Sequence, residues 1–244
     1  MRLTRSGWMM LATALSLGCG QEAPPSTTNT TRTLLAQPRP EDLSTQFDAS
    51  GLPIGEPELG IEVLGVNLGS PQAPVKVIEF VDFGCGYCRK FQLETFATLR
   101  AEFIETGKIE WKFMPFITGL FGNSFVVTEA AECSLDQDAR MFALVADRLW
   151  VQQADWKGSS DPEALVRSWL TEIGGNGDAF DACMRDDRRL ARVTSATAVA
   201  AQLGVRSTPT FWIVGGGPIQ GALPLDLFRE IFTQAYTQLS QAAG

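Results

Sequence analysis

Two closely spaced cysteines are the residues of this sequence best suited to chemistry. Cys85 and Cys88 enclose Gly86 and Tyr87 within the stretch VKVIEFVDFGCGYCRKF. A thiolate is the reactive form of cysteine, and the unpaired N–H groups and positive dipole end of a helix N-terminus favour it. Two intervening residues place both sulfurs on one helical turn. We therefore predict a redox pair in which Cys85 is exposed and attacks first, while Cys88 is shielded and resolves the mixed disulfide.

A zinc half-site and a purely structural disulfide are the other uses of such a pair. A structural zinc site needs four ligands, and the chain has no histidine and no second pair with this spacing, so no metal site is predicted. A structural bridge across so short a loop would stabilise the fold little, because the entropy of loop closure shrinks with loop length. Both considerations favour redox chemistry, for which no cofactor is predicted.

The elements around the pair are predicted to place it where a strand ends and a helix begins. Val75 to Phe83 has the β-branched and aromatic content of a buried strand, and Arg89 to Thr106 has apolar residues on one face of a helix. Apolar residues alternate in KIEWKFMPF, which predicts a second strand. A right-handed crossover through the helix would make the two strands a parallel pair.

Helical patterns dominate the middle of the chain, and strand patterns return near its end. The order predicts an α/β fold with a helical insertion at about residues 115–203. In chain order the later segments are helix at Val126 to Trp150, an N-cap at Asp161-Pro162, helix at Phe180 to Leu203, strands in TFWIVGG and PIQGAL, and helix at Pro224 to Leu239.

The first 18 residues are typical of a signal peptide. Arg2 and Arg5 precede the apolar stretch Trp8 to Gly18, which is too short to span a bilayer. Its end, LSLGC, resembles a bacterial lipobox with Cys19 as the acylated residue, although Ser16 stands where leucine is usual. We expect lipidation of Cys19, with ordinary cleavage nearby or an uncleaved anchor as the alternatives.

Residues 19–60 are predicted to form a flexible tether, and residues 61–244 the folded domain. The tether is rich in Pro, Ser, Thr and Asn and has few large apolar residues, so it cannot bury enough surface to fold. Gly20 follows Cys19 where an aspartate would signal retention at the inner membrane, which favours the outer membrane, facing the periplasm. The net charge of −8 repels phosphate backbones, so nucleic acid is not a predicted partner.

Three stretches, in their order and spacing, resemble the DsbA-like branch of the thioredoxin superfamily. They are LGSPQAPVKVIEFVDFGCGYC, the helical start EAAECS and LGVRSTPTFWIVGG, and the resemblance extends from about Val66 to the C-terminus. It implies a thioredoxin fold with a helical insertion. It also implies periplasmic thiol–disulfide exchange with cysteine-containing protein substrates and a membrane redox partner.

The resemblance assigns roles to residues outside the cysteine pair. Glu79 matches a buried carboxylic acid on the entering strand that relays the proton of Cys88. The apolar neighbours of Glu79 favour burial over a strand edge that faces water. Thr208-Pro209 matches a cis-proline site, where the residue before the proline offers its backbone to an extended substrate beside Gly86 and Tyr87.

The other two cysteines, Cys133 and Cys183, lie in the helical block. If Cys19 is lipidated and Cys85 pairs with Cys88, these two remain to pair with each other. An oxidising periplasm permits the bond, and we predict a structural disulfide. Two separate buried thiols are the alternative, because cysteine also behaves as a small apolar residue.

The Gly-Tyr dipeptide, together with threonine before the proline, looks like the active site of DsbC, the disulfide isomerase. Isomerases of that type carry an N-terminal dimerisation domain, which this tether looks unable to build. The sequence therefore predicts a lipid-anchored periplasmic thiol–disulfide oxidoreductase whose direction of electron flow is open. A peptide-binding or chaperone-like lipoprotein with a vestigial disulfide is the alternative from a different class.

Overall fold

A five-stranded sheet forms the centre of the computed structural model, which describes residues 57–242. Its strand order is β1-β3-β2-β4-β5. β2 and β3 run parallel, and the other neighbouring pairs are antiparallel. The predicted signal peptide, Cys19 and nearly all of the predicted tether lie outside the described residues. The strands β1 to β5 are Val66–Leu68, Val75–Val81, Ile109–Pro115, Thr210–Ile213 and Gly217–Gln220.

Helices pack on both faces of the sheet and form the insertion between β3 and β4. The first, α1, covers residues 86–104 and includes two π-helical turns, Gln92–Phe96 and Arg100–Ile104. This architecture confirms the predicted α/β class with a helical insertion. The remaining helices, α2 to α8, are Ser124–Leu135, Ala139–Val151, Gln153–Gly158, Pro162–Glu172, Gly177–Arg185, Leu190–Gln202 and Leu225–Ala242.

The predicted order of elements differs from the structure most clearly at three elements. β1 was not predicted, because three residues carry no usable periodicity. The helical region predicted at Val126 to Trp150 is broken in two, and the Asp138 side chain caps the second helix by accepting the N–H of Arg140 at 2.7 Å. The region predicted at Phe180 to Leu203 is likewise interrupted, and Asp187 there has a φ of 48°.

Most of the core lies in three clusters, because the sheet is covered on both faces and the insertion packs on itself. α1 and α8 cover one face with an aromatic cluster that includes Phe91, Trp111 and Phe228. Side chains of α7 cover the other face. The insertion has its own apolar cluster, and Cys85 and Cys88 belong to it. The redox pair therefore lies where the sheet domain meets the insertion.

Both edges of the sheet are poor at pairing with a further strand. β1 has only three residues. β5 carries Pro218, which has no N–H to donate. Within residues 57–242 there is also no helix that combines the length and apolar character needed to cross a membrane.

A disulfide joins Cys133 in α2 to Cys183 in α6, across 50 residues of sequence. Both residues are buried among the apolar side chains of the insertion. A cross-link stabilises a fold mainly by restricting the unfolded chain, and the restriction grows with the length of the closed loop.

We expect the double variant Cys133→Ser/Cys183→Ser to lose about 4 kcal/mol of unfolding free energy in the chain-entropy model. Denaturant titration of the two proteins measures this loss. The ionisation of Cys85 serves as the control and should stay unchanged if the bridge acts only on stability. A thiol count that finds both cysteines free in the natively purified protein would contradict the pairing.

Candidate active site

The end of β2 and the start of α1 place Cys85 at a helix N-terminus. Cys85 is the N-cap residue, with extended backbone angles. Its N–H donates to the Asp82 carbonyl at 2.9 Å, and its own carbonyl accepts from Arg89 at 3.1 Å. The helix begins at Gly86, three residues earlier than the sequence predicted, so the N–H groups of its first turn lie beside the sulfur.

The prediction that Cys85 is exposed was wrong. Only 5% of its surface is accessible, because side chains of the insertion pack over the redox loop. Cys88 is fully buried, so the predicted order of accessibility holds even though both residues are largely covered. The adjacent Tyr87 is 69% exposed, and Gly86 is also exposed.

Hydrogen bonds lower the pKa of Cys85 from its ordinary value to about 6. The largest contribution comes from Cys88, and burial opposes it. The side chain of Thr208 and the backbone N–H groups of Cys88 and Tyr87 lower the pKa further. These donors stabilise negative charge on sulfur, so Cys85 is largely a thiolate at neutral pH.

The pKa of Cys88 is shifted in the opposite direction from that of Cys85. Burial raises its pKa well above the ordinary value, and the hydrogen bond and charge of Cys85 raise it further. The negative charge of Glu79 also raises it. The two cysteines, free in this structure, therefore differ sharply: Cys85 releases its proton readily, and Cys88 keeps its proton.

Glu79 is fully buried in the middle of β2, on the side of α1. Trp111 donates its indole N–H to Oε2 at 3.0 Å, and the Gln92 amide donates to both carboxylate oxygens at 2.8 and 3.0 Å. Burial raises the pKa of Glu79 to about 7, and the hydrogen bonds from Trp111 and Gln92 limit this rise. A carboxyl with this pKa can gain or lose a proton near neutral pH.

A second buried acid, Asp82, was missed in the sequence. One carboxylate oxygen accepts the Gly84 N–H at 2.8 Å and the Ser124 hydroxyl, and the other accepts the N–H and hydroxyl of Thr118 at 3.1 and 3.0 Å. Burial raises its pKa, and these bonds oppose the rise. Asp82 thus ties the redox loop to the start of the insertion. Its place in the same apolar run as Glu79 was the available signal.

The Thr208–Pro209 peptide bond is cis and lies beside the redox pair. When Cys85 is protonated, its thiol donates to the Thr208 carbonyl at 3.3 Å. Pro209 is buried, and Thr208 is partly accessible. The structure thus brings Glu79 and both redox cysteines together with this loop.

The remaining predicted site residues lie apart from this group. Cys133 and Cys183 are bonded to each other within the insertion, and Cys19 lies outside the described residues. Among residues 57–242 there is no group of three or more acidic or cysteine side chains arranged to hold a metal ion.

Comparison with known proteins supplies the family. A family model described as thioredoxin matches residues 63–232. The chain is 27% identical over 155 residues to the probable disulfide bond formation protein D of Bacillus cereus, an alignment that covers 61% of this chain and 69% of the relative.

Two crystal structures show the same fold as this chain. Oxidised BdbD from Bacillus subtilis superposes with a TM-score of 0.65 at 20% identity, covering 75% of this chain and 97% of that one. Alpha-DsbA1 from Wolbachia pipientis gives the same TM-score and identity, covering 75% and 98%. These matches confirm the predicted thioredoxin fold with a helical insertion. The chain therefore belongs to the thioredoxin family, as a DsbA-like protein thiol–disulfide oxidoreductase.

Proposed function

We propose that this protein exchanges disulfides with cysteine-containing protein substrates outside the cytoplasm, through the Cys85–Cys88 pair. The observation that carries the proposal is the asymmetry of the pair, since one thiol has a pKa near 6 and the other holds its proton. Such a pair forms a mixed disulfide at the first sulfur and resolves it with the second.

In the reducing direction, the Cys85 thiolate attacks a substrate disulfide and releases one substrate thiolate. Cys88 then gives its proton to Glu79 and attacks the Cys85 sulfur, which frees the second substrate thiolate and leaves the Cys85–Cys88 disulfide. Oxidation of a substrate dithiol runs through the same steps in reverse. Two electrons pass between substrate and protein in either case.

The loop at Thr208 and the exposed Gly86 and Tyr87 are the proposed binding surface for the substrate. Thr208 is partly accessible beside Cys85, so an extended chain that pairs with its backbone would bring a cysteine to the reactive sulfur. Lipid anchoring through Cys19, with the outer membrane favoured, belongs to the proposal and rests on the sequence. A membrane redox partner would return the pair to its working state.

The direction of electron flow depends on how strongly the thiolate is stabilised. Stabilising the reduced form makes a disulfide more oxidising. A pKa of about 6 lies below thioredoxin's value of about 7 and far above DsbA's value of about 3.5. We therefore propose a potential between roughly −270 and −120 mV, the values of those two proteins.

Disulfide transfer tests the proposed function. The oxidised protein is mixed with a reduced, unfolded protein that has two cysteines, and the reduced protein is mixed with insulin. The wild type should accelerate both reactions over a Cys85→Ser/Cys88→Ser control, and titration against glutathione should give an intermediate potential. A wild type that is no faster than this control but binds unfolded peptides would instead be a binding protein with a vestigial disulfide.

A further inference from the structure

Three successive carbonyl groups of the redox loop accept hydrogen bonds from the short helix α4. The amide of Gln153 donates to the Phe83 carbonyl at 2.7 Å and to the Cys85 carbonyl at 3.1 Å. Between them, the Lys157 ammonium donates to the Gly84 carbonyl at 2.9 Å. The donors follow their acceptors by 68 to 73 residues in sequence.

The fold holds both donors in place. Gln153 and Lys157 are four residues apart and therefore share one face of α4. Between them, Trp156 is fully buried and donates its indole N–H to the Leu149 carbonyl at 2.9 Å. The amide of Asn123 donates to the Trp156 carbonyl at 2.9 Å, which fastens α4 to the start of α2.

The two donors differ in burial and charge. Gln153 is buried, so its amide bonds to the loop away from water. Lys157 is an exposed residue, and its ammonium also lies 4.7 Å from the centre of the Phe121 ring. Lys157 is thus a formal positive charge beside the residue that precedes Cys85.

No cation from the cysteine motif itself has this position. The Gly-Tyr dipeptide is uncharged, and the Arg89 guanidinium donates to the Trp150 carbonyl at 2.8 Å and not to a carbonyl of the redox loop. The insertion therefore supplies, through Lys157, the positive charge that the Gly-Tyr dipeptide lacks.

We propose that Gln153 and Lys157 are positioning residues that set the ionisation of Cys85, an inference that rests on the proposed function. Carbonyl oxygens carry partial negative charge, and those of Phe83, Gly84 and Cys85 lie within the loop that bears the thiolate. Donors bonded to them offset that charge and fix the loop so that the N–H groups of α1 face the sulfur. The effect is confined to the reduced protein, because the sulfur of the disulfide carries no charge.

The test compares variants that remove each donor. Gln153→Leu and Lys157→Met should each raise the pKa of Cys85, measured from the pH dependence of its alkylation. Destabilising the thiolate destabilises the reduced form, so each should shift the glutathione equilibrium about tenfold towards the disulfide, equivalent to about 30 mV more reducing. Lys157→Arg keeps the charge and the donor and should stay close to the wild type.

Gln137→Leu is the matched control. Gln137 exchanges two hydrogen bonds with the Asn176 backbone in the insertion and makes none to the redox loop. The Gln137→Leu variant should leave both the pKa of Cys85 and the glutathione equilibrium unchanged. If Gln153→Leu does not fold, Lys157→Met alone tests the inference. The Lys157 side chain is exposed, so its replacement should leave the fold intact.

Loss of stability in the Gln153 and Lys157 variants, with unchanged pKa and equilibrium, would overturn the inference and leave the two residues purely structural. A wild type that fails to exchange disulfides would instead count against the proposed function. Alkylation reads the thiol directly, so these two failures are distinguishable.

Discussion

Cys85→Ser is expected to abolish disulfide exchange, whereas Cys88→Ser is expected to accumulate a covalent complex with the substrate. Cys85 is the more accessible sulfur and has the lowered pKa, so it makes the first bond to substrate. Cys88 is fully buried and keeps its proton, so it acts only on a disulfide already formed at Cys85. Without Cys88 the mixed disulfide has no internal route to resolution.

Non-reducing electrophoresis with a cysteine-containing substrate measures the complex, and added thiol should dissolve it. Iodoacetamide should label Cys85 of the reduced wild type with half-maximal rate near pH 6, long before Cys88 reacts. Serine is close in size to cysteine, so the fold should be preserved in both variants. Preferential labelling of Cys88, or a trapped complex in Cys85→Ser, would reverse the assigned roles.

Glu79→Gln is expected to slow resolution of the mixed disulfide by about 10²-fold or more, the usual range for loss of a general acid–base group. Only the carboxylate form can take the proton of Cys88. The wild-type rate should therefore rise with pH through the Glu79 pKa of about 7, and this rise should be absent in the variant. Stopped-flow measurement of the resolution step, started from the preformed mixed disulfide so that Cys85 has already reacted, tests this expectation across pH 5 to about 9.

Stability provides a second, opposite signature of the same residue. The pKa of Glu79 is higher in the folded protein than in the unfolded chain, so the folded state holds the proton more tightly. The contribution of Glu79 to stability is then greatest below the unfolded value of about 4.3 and declines as pH rises towards the folded value of about 7. Glu79→Gln removes this decline and should be the more stable protein at pH 8, although it is the slower enzyme.

Gln92→Leu is the companion variant. It keeps the carboxyl group but removes the donor that helps to hold the pKa down. The inflection in the rate should therefore move to higher pH and not vanish. Identical pH profiles for the wild type and Glu79→Gln would reduce Glu79 to a structural residue.

The parts of this site that the sequence predicted are those encoded locally. The cysteine pair follows a buried strand directly, and Glu79 lies six residues before Cys85 within that strand. Residue content also placed β2, alternation placed β3, and the terminal helix was predicted close to α8, each with small errors at its ends. Thr208 and Pro209 were recognised only through the resemblance, because nothing in a lone proline indicates its isomer or its neighbours.

The parts that the sequence did not predict depend on contacts between distant segments. Cys85 was expected to be exposed because it lies nearer the chain turn than Cys88, but the insertion covers it. Gln153 and Lys157 look like ordinary residues of a polar helix, and only folding brings them to the redox loop. Asp82 sits between two apolar residues, and its four donors come from the loop and from residues 118 and 124.

The two edge strands of the sheet matter for the proposed exchange of disulfides with protein chains that are still incompletely folded. Such chains carry extended segments that readily add to any open β-edge, and this is a common route to aggregation. Here one border strand is three residues long and the other contains Pro218, so neither offers a long run of free N–H and carbonyl groups. An extended segment of a substrate would therefore pair poorly with either edge strand, where binding would not lead to disulfide exchange. The backbone of Thr208, which lies beside the Cys85 sulfur, is the proposed binding site for such a segment.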